Sequence, residues 1–222
     1  MFEPSRDQAA GLRRLFGPQP MNLLPLGCTM GNESDRAGVE AMANALARAG
    51  RRPLLVDLLG GSRTSRERSF AHIDAGALLP DGAGTSDLTR FFESLGRRAP
   101  DGRGAFDVAL VAADPLRLAD LTVGVAERIV LVARTRGEGL ARTYSQIKAM
   151  HLAHGFRAYC ALFLDARSRA AALASHRRLA DTAARFLGAA IEFGGAHDTI
   201  EEERFADDAL RWSQPLAAAS VA

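Results

Sequence analysis

A short polar segment between an apolar run and an amphipathic helical pattern has the layout of a phosphate-binding loop. Residues 22–28 form the apolar run and predict a buried strand, and residues 29–35 form the polar segment. After it, apolar residues recur at the spacing of one helix face: Val39, Met42, Ala43 and Leu46. A loop placed in this way directs backbone N–H groups and the positive end of the helix dipole toward one point. The chemistry that this arrangement could support is the binding of phosphate.

Two residues in this segment argue against a bound nucleoside triphosphate. A P-loop has the pattern G-x-x-x-x-G-K-[ST], in which the lysine neutralises phosphate and the hydroxyl holds magnesium. The register of the helix places Asp35 and Arg36 at those two positions. A carboxylate aimed at a triphosphate repels it, and the single lysine of the chain, Lys148, is far from the loop. The sequence therefore predicts a degenerate P-loop with no nucleotide cofactor and no metal.

Composition limits the class of protein. The 222 residues are 47% apolar and 24% charged, which suits one globular domain or one domain with a short appendage. The formal charge of +2 comes from scattered arginines, so we expect no nucleic-acid partner. Cys28 and Cys160 lie in apolar runs and are expected to be buried thiols of a reducing compartment. No signal peptide and no apolar run of about 18 residues is found, which favours a cytoplasmic location.

The rest of the chain alternates between strand and helix patterns. Gly50 is placed to end the first helix, and residues 53–57, closed by Asp57, predict the second strand. Residues 58–83 are expected to be irregular. Further strands are predicted at 106–113, 127–135, 159–165 and 190–195, and helices from a Thr85 or Ser86 cap to Leu95, at 139–150 and at 170–187. This alternation predicts a three-layer α/β fold, a mostly parallel sheet flanked by helices. His176 and Phe186 fall on the apolar stripe of the last helix, and His176 is expected to pack there rather than to bind metal.

The first twenty residues stand apart from the domain predicted at residues 21–222. Ser5 can cap a short helix, and Gln8, Leu12 and Leu15 fall on one face of it, before a linker at residues 17–20. An apolar face that carries one polar group suits docking into a groove of a partner. The same pattern also suits a helical tail that packs on its own domain, and the pattern alone leaves both interpretations open.

The segment Asp7–Leu15 resembles the D-Q-A-x-x-L-R signature that opens FlhG (FleN) proteins, a family of MinD-like ATPases that control the number and placement of bacterial flagella. The resemblance implies that this helix binds FlhF, a GTPase of the signal-recognition-particle type, and stimulates its hydrolysis of GTP. Gln8 would enter the partner's active site and help to position the attacking water, as water-orienting glutamines do. Asp7, Leu12 and Arg13 would orient and anchor the helix.

The remainder of the chain is similar to the same family in pattern, but it departs from the residues that serve nucleotide. The family's acidic residue at the end of the strand at 106–113 is Ala112 here, its early loop lysine is Met30, and no asparagine follows Asn44 to contact adenine. The degenerate nucleotide site comprises Met30, Gly31, Asp35, Arg36, Asp57 and Ala112. The resemblance therefore implies a MinD-like body that neither binds nor hydrolyses ATP. The short, uncharged residues 216–222 lack the family's basic membrane helix, so we expect no stable membrane anchor.

Two other hypotheses stay open. In the first, the loop binds nucleotide in an unorthodox way, with Arg36 and the helix N-terminus as the anion site. In the second, the body is a non-catalytic scaffold for a flagellar C-ring protein or a flagellar transcription activator, and the N-terminal helix is a relic. An unrelated binding module is a further alternative.

Overall fold

The computed structural model describes residues 21–60, 69–96, 106–196 and 208–215. Its strands are β1 Asn22–Cys28, β2 Pro53–Asp57, β3 Ala71–Asp74, β4 Val108–Ala113, β5 Arg128–Ala133, β6 Ala158–Phe163, β7 Ala190–Ala196 and β8 Gln214–Pro215. Its helices are α1 Glu33–Arg48, α2 Thr85–Gly96, α3 Pro115–Thr122, α4 Gly139–His154 and α5 Arg169–Leu187. A helical turn at 208–212 precedes β8. The predicted N-terminal helix and linker at residues 1–20 lie outside the described residues.

The strands form one sheet in the order β3-β2-β4-β1-β5-β6-β7, with β8 paired to β1. The first seven strands run parallel, and β8 is antiparallel to β1. The predicted α/β fold, a mostly parallel sheet flanked by helices, is confirmed. Because the strands are parallel, β1, β2, β4, β5 and β6 all end at the same edge of the sheet. The polar loop after β1 lies at that edge, where parallel α/β sheets commonly bind ligands.

Helices cover both faces of the sheet. One face packs against α2, α3, α4 and α5 through Leu88, Leu118, Ile147 and Leu179, all of which are buried. The other face packs against α1 and the turn at 208–212. The predicted α1 stripe is confirmed, because Val39, Met42, Ala43 and Leu46 are at most 1% exposed. Full burial of such a leucine stabilises the fold by about 1.5–3 kcal/mol. No helix in the described ranges has the length and apolar character that crossing a membrane requires.

The ends of α1 explain where that helix starts and stops. Asn32 caps its N-terminus, and the Asn32 Oδ1 atom accepts from the Asp35 N–H at 3.1 Å. Gly50 has a positive φ of 77° and donates its N–H to the Ala47 carbonyl, while Arg51 donates to Leu46. This pair of bonds satisfies carbonyls that the helix end leaves open. The prediction that Gly50 ends the helix is confirmed.

Three elements were not predicted: β3, α3 and the two-residue strand β8. β3 lies within residues 58–83, which the sequence indicated to be irregular, because a four-residue edge strand that is only half-buried has no apolar run. α3 begins directly after β4, where Asp114 accepts from the Leu116 N–H at 3.0 Å and Pro115 occupies the first turn. Proline cannot continue a strand ladder, so Pro115 keeps β4 from extending further. It also starts a helix, because proline lacks the N–H that a first turn leaves unpaired.

Two details of the helices also differ from the predictions. α2 is not capped by Thr85 or Ser86: the Asp87 carboxylate accepts from the Gly84 N–H at 3.0 Å, and Gly84 precedes the helix. On α5, Phe186 was predicted on the buried stripe but is 66% exposed in the last turn. His176 packs as predicted, because its Nε2 lies 2.9 Å from the Ile191 carbonyl oxygen.

Both cysteines are buried free thiols, as predicted: Cys28 in β1 is 1% exposed and Cys160 in β6 is 0% exposed. Burial raises the pKa of both thiols well above the ordinary value. We therefore expect a disulfide reagent such as DTNB to modify neither thiol in the folded protein and both in urea. Because the folded thiols hold their protons at a pH where unfolded thiols ionise, the free energy of unfolding should fall as pH rises above about 8.5. Rapid modification without denaturant would contradict the burial.

Candidate functional site

The loop between β1 and α1 closes on a carboxylate of the protein itself. Asp35, in the first turn of α1, is 0% exposed. Its Oδ2 accepts from the Met30 N–H at 2.9 Å and from the Gly31 N–H at 3.0 Å. Gly31 has a φ of +60°, a conformation that glycine adopts at little cost. These two N–H groups are called the cradle below, and the Asp35 carboxylate occupies it.

A cation from the neighbouring strand neutralises Asp35. Arg134 directly follows β5, which pairs with β1, and its Nη2 lies 2.6 Å from Asp35 Oδ1. The same Nη2 donates to the Asn32 Oδ1 at 3.2 Å. The Arg134 side chain is 16% exposed, so the pair is largely screened from water. Burial of a charge requires such a partner. Sequence reasoning missed Arg134, because only the pairing of β1 with β5 brings this residue to the loop.

α4 holds the loop and Arg134 in position. A Cβ added to Gly139 would lie 2.6 Å from the Arg134 Cβ and 2.9 Å from its carbonyl oxygen, so the helix start packs directly on this residue. About two turns later, Gln146 Nε2 donates to the Thr29 carbonyl at 3.3 Å. Thr29 is 1% exposed, and its hydroxyl donates to the Val132 carbonyl at 2.8 Å. The loop is therefore fastened to β5 and α4 as well as to α1.

Arg36 points away from the cradle. Its Nη2 donates to the carbonyl of Leu59 at 2.9 Å and also to the carbonyl of Gly60. Both carbonyls belong to the chain that follows β2. In the hypothesis of an unorthodox nucleotide site, Arg36 binds phosphate. The guanidinium would first have to leave these two carbonyls.

Asp57 and Ala112 lie at the same edge of the sheet as the loop. They are partners in the register of β2 and β4, and Ala112 also pairs with Leu26 of β1. The Asp57 Oδ1 accepts from the Leu59 N–H at 2.8 Å, and its Oδ2 lies 3.6 Å from His72 Nε2. Ala112 is buried in the core at 1% exposure. Thus the structure brings the six predicted residues of the degenerate site to one edge, although Arg36 and Asp57 bond to the β2 loop and not to the cradle.

An open cleft of about 330 Å³ lies beside the loop. Its lining residues are Met30, Asn32, Arg134, Arg136, Glu138, Gly139, Arg142 and Asp165. The Asp165 carboxylate, which follows β6, accepts from the Thr135 N–H at 2.6 Å, the Thr135 hydroxyl at 3.0 Å and the Arg136 N–H at 3.1 Å. Three arginines face two carboxylates here, and Asp35 already neutralises Arg134. The cleft can accept a polar ligand, but its charges are nearly balanced.

Within the described ranges, no group of three or more His, Cys, Asp or Glu side chains could hold a metal ion. The four residues predicted to act on a partner GTPase, Asp7, Gln8, Leu12 and Arg13, lie outside the described residues. Their roles stay predictions.

Comparisons with known proteins support the fold. The sequence matches no protein-family model and no curated protein. Among solved structures, the chain is similar to a plasmid partition protein from Borrelia burgdorferi, with a TM-score of 0.51, 10% identity, and coverage of 87% of this chain and 97% of that one. A putative plasmid partition protein from Borrelia burgdorferi B31, bound to AMPPNP, has a TM-score of 0.50 and 10% identity, with coverage of 87% of this chain and 98% of that one. The MinC:MinD cell division protein complex of Aquifex aeolicus has a TM-score of 0.50 and 14% identity, with coverage of 87% of this chain and 86% of that one.

At these identities the likeness shows the fold alone. That fold is the three-layer α/β fold of ParA/MinD-like P-loop NTPases, so the predicted MinD-like architecture is confirmed.

Proposed function

We propose that this chain is a regulator of bacterial flagellar biogenesis, built on a ParA/MinD-like body whose own nucleotide site is inactive. In this proposal the N-terminal segment stimulates GTP hydrolysis by an FlhF-like GTPase of the signal-recognition-particle type. Gln8 positions the attacking water in the partner, and Asp7, Leu12 and Arg13 orient and anchor the segment. The body carries this segment and undergoes no ATP-driven switch of its own.

The occupied cradle is the observation that supports the inactive site. A phosphate could reach the Met30 and Gly31 N–H groups only after the Asp35 carboxylate had left them and its pair with Arg134 had broken. If the carboxylate stayed, two anions would lie side by side. At about 4 Å, like charges repel by roughly 1 kcal/mol in water and by about 4 kcal/mol near a protein surface. The loop thus disfavours a triphosphate both sterically and electrostatically.

The neighbouring residues give no compensation for the missing lysine. Arg36 donates to two backbone carbonyls of the β2 loop, and Arg134 is neutralised by Asp35. Ala112 has no carboxylate with which to order a metal-bound water, and Asp114 two residues later caps α3. The carboxylate in the loop and the missing carboxylate at Ala112 support the proposal that the body does not hydrolyse ATP.

The assignment of the partner depends on the N-terminal signature. A glutamine amide can accept a hydrogen bond from water and donate one to a phosphate oxygen, which is how water-orienting glutamines act in GTPases. Gln8 shares one predicted helix face with Leu12 and Leu15. A helix of this kind can place an amide in a partner's active site while its leucines fill an apolar groove.

One observation favours a second candidate, a body that binds an anionic ligand such as a nucleotide outside the cradle. The cleft beside the loop contains the guanidinium groups of Arg136 and Arg142, and neither has a partner among the described residues. Arginine pairs well with phosphate. A calorimetric titration of the full chain with Mg·ATP separates this candidate from the main proposal.

GTP turnover by an FlhF-type GTPase tests the main proposal. We expect the full chain to raise turnover and a chain without residues 1–20 to leave it unchanged. Equal stimulation by both forms would contradict the proposed role of the N-terminal segment, as would no stimulation by either. Capture of a flagellar C-ring protein or a flagellar transcription activator by the shortened chain would favour the scaffold hypothesis.

A further inference from the structure

Two large apolar side chains are exposed at the ends of α4 and α5, remote from the loop. Leu152 is 71% exposed and Phe186 is 66% exposed, more than any other large apolar residue that the structure describes. Each lies in the last turn of its helix, just before a glycine with a positive φ, Gly155 or Gly188. An exposed apolar group of this kind favours a partner that removes it from water.

The topology brings these two helix ends to one side of the molecule. α4 joins β5 to β6, and α5 joins β6 to β7, and these three strands are parallel neighbours. The two helices therefore run in the same direction, and they pack against each other. Both end at the edge of the sheet opposite to the cradle, where β6 and β7 begin.

Exposed cations lie on the same two helices, or just after them, as the two apolar side chains. Lys148 lies one turn before Leu152 on the exposed face of α4, and Arg157 is exposed shortly after the helix. On α5, Arg178 is exposed two turns before Phe186, and the Arg185 guanidinium lies 5.3 Å from the centre of the Phe186 ring. Among the described residues, none of these four cations has a carboxylate partner. They and the two apolar residues form the α4–α5 end patch.

The nearby carboxylates leave this charge largely uncompensated. Glu192, at the start of β7, pairs with Arg128 and Arg211. Asp120 of α3 pairs with His154 at the end of α4. Asp181 is the acidic residue of α5, and Arg177 on the same helix adds a further exposed cation. On α4, α5 and the residues just after α4, exposed cations outnumber exposed carboxylates, although the whole chain has a formal charge of only +2.

We propose that the α4–α5 end patch docks reversibly on the surface of an anionic phospholipid bilayer. Long cationic side chains without carboxylate partners suit the diffuse negative potential of lipid headgroups. Leu152 and Phe186 can enter the boundary between headgroups and acyl chains, where apolar side chains leave water without any need for a shaped pocket. Phosphates of a nucleic acid would satisfy the cations but would leave both apolar side chains in water. This inference does not depend on the proposed action on a GTPase.

Vesicle sedimentation of the full chain tests the proposal. We expect binding to vesicles of equal parts phosphatidylglycerol and phosphatidylcholine, little binding to pure phosphatidylcholine, and release in high salt. Arg178→Ala with Arg185→Ala removes two cations of the patch and should weaken binding about 25-fold, since each cation near the surface contributes roughly a fivefold factor. The control, Arg90→Ala with Arg167→Ala, removes the same charge from two exposed positions outside the patch and outside the cleft. Its binding should stay within about twofold of that of the parent chain.

Two further variants test the remaining parts of the patch. Leu152→Ser with Phe186→Ser should weaken binding with no change in net charge, and Asp181→Asn should strengthen it. Circular dichroism checks that every variant is folded. Absence of binding to anionic vesicles, or binding that the patch variants leave intact, would overturn the proposal. Patch-dependent binding to duplex DNA without binding to vesicles would overturn it in favour of a nucleic-acid surface.

Discussion

Replacing Asp35 by alanine is expected to lower the free energy of unfolding by about 3–5 kcal/mol. The change removes a fully buried carboxylate that accepts from two backbone N–H groups and pairs with Arg134. It leaves a largely buried guanidinium without its anion and two loop donors without their acceptor, and both are costly. Urea unfolding at neutral pH, followed by circular dichroism, measures the difference.

Asp87→Ala is the matched control for this measurement. Asp87 also pairs with an arginine, Arg90, but both side chains are exposed, and its carboxylate accepts one N–H, that of Gly84, at the start of α2. The loss of an exposed pair and of one cap bond should be about 1–2 kcal/mol. The double variant Asp35→Ala with Arg134→Ala should be more stable than the sum of the two single losses predicts, because it leaves no charge unpaired. A loss for Asp35→Ala no larger than that for Asp87→Ala would contradict the description of Asp35 as a buried anion that holds the loop.

Replacing Gln8 by alanine is expected to remove the stimulation of the partner GTPase and return turnover to the rate of the GTPase alone. Alanine can neither accept from the attacking water nor donate to phosphate, so a helix that still binds would no longer assist the chemistry. Catalytic side chains that an activating protein supplies to a GTPase raise its turnover by several orders of magnitude in known systems. We therefore expect Gln8→Ala to lower the stimulated turnover by about tenfold or more.

Gln19→Ala provides the control for Gln8. It removes the same amide group from the linker that follows the predicted helix, and it should leave stimulation unchanged. Leu12→Ala should raise the concentration of the chain that half-maximal stimulation requires, because Leu12 is assigned to docking and not to chemistry. Equal effects of Gln8→Ala and Gln19→Ala would contradict the role proposed for Gln8.

The sequence predicted the elements that have either a long apolar run or apolar residues at a clear helical spacing. β1 and α1 were predicted because seven apolar-rich residues and a clear helical stripe need no tertiary context to be recognised. β3 is a short, half-buried edge strand, and α3 has only eight residues. Neither is long enough to give a recognisable pattern of apolar residues in the sequence. Phe186 follows the helical period but lies in the last turn of α5, where it stays exposed.

The sequence predicted where the candidate site lies, but it did not predict how the loop excludes phosphate. The helix register placed Asp35 and Arg36 at the two decisive positions, and from this the sequence predicted simple repulsion of phosphate. The structure shows more than repulsion, since Asp35 itself fills the cradle. Its partner Arg134 is about a hundred residues away in the chain and reaches it only through the pairing of β1 with β5. Contacts made by strand pairing leave no local signal in a single sequence.

Calorimetric titration of the full chain with Mg·ATP tests the central claim most directly. Because the Asp35 carboxylate occupies the cradle and Arg134 is already neutralised, we predict no binding heat at nucleotide concentrations up to the millimolar range, with ADP and GTP behaving alike. Binding of one ATP per chain at micromolar concentration would contradict the account, and it would establish a body that binds nucleotide despite the carboxylate in its loop.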